Sequence, residues 1–112
     1  MSRVRTKLRA ANLMTPIVVA GGIQTFSDAE RILTNGDGDI IAAARQSLAD
    51  PDWFMKIRQG QGDTIRRCTM TNYCEALDTQ HKEVTCRLWD RIDIKEPSVR
   101  LSSDGRRRLT PP

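Results

Sequence analysis

The chain has 112 residues, a formal net charge of +4, 38% hydrophobic and 4% aromatic residues, enough for one modest core. No stretch reaches the roughly 18 apolar residues of a membrane-spanning helix, and the basic excess is split between Arg3, Arg5, Lys7 and Arg9 at one end and Arg106, Arg107 and Arg108 at the other. Basic side chains are not interleaved with aromatics, so a nucleic-acid surface is not expected, and three cysteines with no secretory signal point to reduced thiols in a cytoplasmic setting.

In chain order, residues 1–14 read as a basic N-terminal segment. Thr15 to Ala20 is a continuous apolar run rich in β-branched residues, the pattern of a strand covered on both faces in a parallel sheet. It stops at Gly21-Gly22. Thr25 with Asp28, or Ser27 with Glu30, offers an N-cap and its partner, and Phe26, Ala29, Ile32 and Leu33 follow at helical spacing until Asn35-Gly36. Ile40 to Ala44 then supplies a second short strand. Strand, helix, strand predicts a right-handed parallel crossover. Asp50-Pro51 reads as an N-cap followed by proline at the first helical position, with Trp53, Phe54 and Ile57 on one face of a helix ending near Gly60. From Gln61 periodicity is lost; 61–95 is an irregular extension containing Cys68, Cys74 and Cys86, and 96–112 reads as a flexible tail.

Two parallel strands ending in Gly21-Gly22 and in Ala43-Ala44-Arg45 suit an anion. Glycines let backbone N–H groups approach a phosphate, the following helix start adds a positive dipole end, and an arginine can fork onto two phosphate oxygens. In (β/α)₈ barrels such a cradle belongs to the loops after strands seven and eight.

The residues that carry a resemblance are Pro16-Ile17-Val18-Val19-Ala20-Gly21-Gly22-Ile23, Asp28-Ala29-Glu30, Asp39-Ile40-Ile41 with Arg45, and Ala49-Asp50-Pro51-Asp52-Trp53. In this order they resemble the C-terminal part of the old yellow enzyme family of FMN-dependent NADH:flavin oxidoreductases, which includes ene-reductases and dienoyl-CoA reductases. The resemblance implies an α/β fold, the last two βα units of a TIM barrel over residues 15–60 followed by the cysteine-containing extension. It implies FMN as cofactor and NAD(P)H as reductant, with Gly21, Gly22, Ala44 and Arg45 at the FMN phosphate; Ala44 replaces the glycine usual before that arginine. The family's catalytic residues come from earlier strands, so no catalytic residue is assigned. A whole barrel needs about 250 residues, so the expectation is an inactive portion of a reductase, completed by a companion chain or by self-association.

Some members of that family hold an iron–sulfur cluster on four cysteines after the barrel. Cys68-Thr69-Met70-Thr71-Asn72 resembles the motif with Thr71 in place of the second cysteine, and a cluster is therefore not expected. Cys68, Cys74, His81 and Cys86 could alternatively form a Cys₃His zinc site in a small basic interaction protein, but the first pair is too widely spaced for a zinc knuckle, and no metal is assigned.

Overall fold

The computed structural model describes residues 2–112. Two units divide the chain between Ala44 and Arg45. Among the described residues no helix is long and apolar enough to cross a membrane.

The first unit opens with a helix, α1 (Arg3–Ala10), where the sequence predicts only a basic segment. It has no acidic residue in its first turn, but the Ser2 hydroxyl caps it by accepting from the Arg5 N–H at 3.2 Å. Arg5 reaches back to the rest of the unit. Its Nε donates to the Gly36 carbonyl at 2.6 Å and its Nη2 to Asp39 Oδ1 at 2.9 Å. The other Asp39 oxygen accepts the Ile17 N–H at 2.8 Å, so one carboxylate fastens α1 and the start of the sheet together. These bonds hold the Asp39 carboxyl below its ordinary range, the Ile17 N–H first and Arg5 second.

Strands β1 (Val18–Ala20) and β2 (Ile40–Ala42) pair in parallel, Val18 opposite Ile40 and Ala20 opposite Ala42. Between them runs α2 (Phe26–Thr34), whose N-cap is Thr25: its hydroxyl accepts from the Asp28 N–H, which settles the two capping alternatives. The strand–helix–strand crossover thus follows the sequence pattern, with both strands shorter than the apolar runs that carry them. At Gly38 a Cβ would run into the Val19 side chain, so the approach to β2 requires glycine. Burial is sparse in this unit. Among its described residues Ile23 is the buried apolar side chain, whereas Val18 and Ile40 remain 58% and 51% exposed.

The second unit begins with α3 (Arg45–Ala49), a helix the sequence does not predict, and α4 (Trp53–Arg58). The predicted N-cap shifts: Asp52 stands at the N-cap of α4, Pro51 lies in the preceding turn, and Asp50 faces inward. A 3₁₀ turn at Gly62–Thr64 and a last helix, α5 (Tyr73–Thr79), follow.

The core of this unit gathers Ala49, Trp53, Leu77 and Trp89 with buried polar groups. Trp53 stacks obliquely on Phe54, ring centres 4.1 Å apart, and its indole N–H donates to Ser47; the Trp89 indole donates to the Leu48 carbonyl. Gln46 takes the Cys68 N–H and gives to the Arg66 carbonyl, tying the irregular chain to α3. Where the sequence predicts a loosely ordered tail, Leu101 and Arg108 form an antiparallel bridge. Arg108 donates to the carbonyls of Ile92 and Thr110, and Arg107 to the Glu83 carbonyl, so both arginines sit buried.

Candidate functional site

The predicted phosphate-site residues fall on both sides of the division at Ala44. In the first unit, the parallel register brings the ends of β1 and β2 to one edge of the sheet, so that Gly21-Gly22 and Ala43-Ala44 leave from the same end. Gly21 and Gly22 have φ of +110° and +69°, and no atom lies within 4 Å of where a Cβ would stand on either. A turn with that backbone favours glycine and leaves room for a ligand atom against the main chain.

Arg45 opens the second unit as the first residue of α3. Its Nη1 donates to Asn72 Oδ1 at 2.6 Å, and its Nε lies 3.8 Å from Glu75 Oε1. Asn72 itself holds a left-handed backbone, φ +58°. The guanidinium is therefore oriented from one side by two neighbours, while its Nη2 makes no hydrogen bond among the described residues. A glycine turn and an oriented guanidinium are each, taken separately, groups that suit phosphate oxygens.

Behind Arg45, the three cysteines line one small cavity together with Thr71 and Tyr73. None is in a disulfide. Burial, then the neighbouring Cys68 and Cys74, push the Cys86 thiol above its ordinary range, which keeps it protonated near neutral pH. Three thiols and the Thr71 hydroxyl do not fit a four-thiolate cluster. Among the described residues no group of three or more His, Cys, Asp or Glu side chains is arranged to hold a metal ion, and His81 lies outside the cavity lining.

Two features were missed in the sequence. Asp50 is 1% exposed and accepts from Lys56 Nζ at 2.6 Å and from the N–H groups of Arg66 and Asp52. Burial raises its pKa, but those donors outweigh burial and hold the carboxyl below its ordinary range. Asp90, also buried, accepts from the Tyr73 hydroxyl at 2.7 Å and from Thr85, and its carbonyl takes the Arg108 N–H. Asp90 directly follows Trp89, and Asp50 stands where the sequence predicts an N-cap; neither pattern marks a buried carboxylate.

A family model for the NADH:flavin oxidoreductase / NADH oxidase family matches residues 3–64, more than half of the chain. Among curated proteins, the chain is 35% identical over 89 residues to a bilirubin reductase of Mediterraneibacter gnavus, covering 79% of this chain and 14% of that protein. It is 37% identical over 71 residues to an N,N-dimethylglycine/sarcosine dehydrogenase of Chromohalobacter salexigens, covering 63% of this chain and 10% of that one. With an NADH oxidase of Thermoanaerobacter brockii it shares 35% identity over 57 residues, 51% of this chain and 9% of the other. The chain thus spans about a seventh or less of the length of these relatives. No solved structure matches it.

Proposed function

The chain belongs to the NADH:flavin oxidoreductase / NADH oxidase family, and from that premise we propose that it is the C-terminal βα portion of an FMN-dependent ene-reductase-type barrel, carrying part of the FMN phosphate site and inactive alone. The observation that carries this reading is the parallel β1–β2 pair with a left-handed Gly21-Gly22 turn at its end, inside the segment that the family match covers. In the complete enzyme the N–H groups of Gly21 and Gly22 and the Arg45 guanidinium hold the FMN phosphate, with Ala44 against the same group. The flavin, when bound, supplies hydride acceptance from NAD(P)H and its onward transfer. The role left to this segment is orientation: fixing the phosphate fixes where the ring system lies. The exposed faces of Val18 and Ile40 are the surfaces that the remaining strands, in a companion chain, a longer product or a second copy, would cover.

The test is a chimera in which residues 3–64 replace the matching segment of the Mediterraneibacter gnavus bilirubin reductase. The chimera is expected to retain FMN, and Arg45→Ala in it to weaken FMN about tenfold while leaving riboflavin, which lacks the phosphate, unaffected. An Arg45→Ala chimera that keeps its secondary structure and binds FMN as tightly as its parent would overturn the assignment.

A further inference from the structure

Beyond residue 64, where the family match ends, the second unit holds a cavity of about 300 Å³, within the size range of small-ligand sites. One wall is a face of α5, Tyr73, Ala76 and Leu77, continued by Gln80 at its C-cap, at the spacing of neighbours on a helix. The Tyr73 hydroxyl is bonded to Asp90, so that side chain is fixed and offers its ring. The rim is cationic, formed by Lys82, Arg91, Arg106 and Arg107.

These four cations are not alike. Arg107 is buried and anchored by the Glu83 carbonyl at 3.1 Å, by the Glu83 carboxylate at 3.9 Å and by Asp104 at 3.6 Å. Asp104, the one carboxylate in the lining, also accepts the Ser102 hydroxyl and the Arg106 N–H, so it is engaged within its own loop. The side chains of Lys82, Arg91 and Arg106 make no hydrogen bond or ion pair among the described residues. Three cations around one apolar-walled recess repel one another and raise the local concentration of anions.

We propose that this cavity binds a small organic phosphate, its oxygens taken by Lys82, Arg91 and Arg106 and its body laid on Tyr73, Ala76 and Leu77. A phosphate accepts forked bonds from guanidinium and neutralises several cations at once; the apolar wall selects an ester over the bare ion. None of these residues belongs to the proposed flavin-phosphate set, so each reading can fail without the other.

Calorimetric titration of the full chain with AMP, adenosine and inorganic phosphate at low salt tests this. AMP is expected to bind, inorganic phosphate about tenfold more weakly, and adenosine not at all. Arg91→Ala and Arg106→Ala, at exposed positions, should each weaken AMP about tenfold, with Arg58→Ala, an exposed cation outside the cavity, changing nothing. Absence of AMP binding at about 1 mM, adenosine binding as well as AMP, or an Arg58→Ala loss equal to the others would each overturn it.

Discussion

The unit ending at Ala44 has the regular architecture and the unit after it has the interior. The first has a capped helix, a parallel strand pair and a crossover, yet Val4, Leu13, Met14, Val18, Phe26, Leu33 and Ile40 all stand exposed. The second has little regular structure over its last thirty or so residues, yet buries two tryptophans and seven polar residues that are bonded to one another or to the main chain. Elements that a sequence pattern marks clearly are therefore not the same as elements that can stabilise themselves. A strand meant for the middle of a sheet keeps its pattern wherever its neighbours are, whereas a core stitched together by side chains leaves no periodic trace.

Substitutions can break or sharpen that contrast. The largest effect belongs to Trp53→Ala, which removes a fully buried indole and should cost about 3–5 kcal/mol. Urea unfolding followed by Trp89 fluorescence reads it, and a loss below about 1 kcal/mol would mean that the second unit lacks a working core. Next comes Lys56→Met, which strips the buried Asp50 of its charged donor and should cost about 2–3 kcal/mol.

Asp50 also sets a pH dependence. Its carboxyl is depressed in the folded chain, so its contribution is present above the ordinary carboxylate value of 3.8 and disappears as pH falls through the lower folded value. The Asp50 contribution should therefore start to decline as pH falls below the ordinary carboxylate value, and Lys56→Met should move the onset of acid unfolding to higher pH. An onset that does not move between the two proteins would detach Asp50 from the stability of this unit.

Arg108→Lys ranks third. Lysine cannot fork to both the Ile92 and Thr110 carbonyls, and the expected loss is about 1–2 kcal/mol by thermal unfolding. Smallest are Val18→Thr and Ile40→Thr in the first unit, which should fall within about 0.5 kcal/mol in the chain by itself. Inside a completed barrel the same changes should cost about 1.5–3 kcal/mol. A loss of that size in the isolated chain would show that those strands already have a cover.

The parts of the fold legible in the sequence were those built on local rules. The β1–α2–β2 crossover follows from two β-branched runs, a Thr25 cap and glycines at the turns, and the site turn at Gly21-Gly22 follows from the same punctuation. Helix α1 was illegible because its only large apolar residues, Val4 and Leu8, make a single i, i+4 pair among basic neighbours, and its anchor is Arg5 reaching Gly36 and Asp39, more than thirty positions away. Helix α3 is five residues long and starts soon after a strand, too short for a periodic signal. Arg107 and Arg108 read as a solvated basic end, since an arginine becomes an interior residue only when carbonyls from elsewhere in the chain close around it. For the candidate site, the glycine turn was legible as a turn, whereas the Asn72 and Glu75 partners of Arg45 were not, because they come from a loop and helix 27 and 30 positions later.

The seat beneath Val19 divides the connection into β2 into two kinds of glycine. Gly36, with φ +73° and open space around it, would accept asparagine at modest cost, since asparagine tolerates that backbone. Gly38 would not accept even alanine without pushing the valine aside, because the obstruction there is a neighbouring strand and not a dihedral angle. Mutational drift along this loop is thus permissive at one glycine and closed at the other, two positions on, so a single added methyl group would act as a feeler gauge for how tightly the crossover sits.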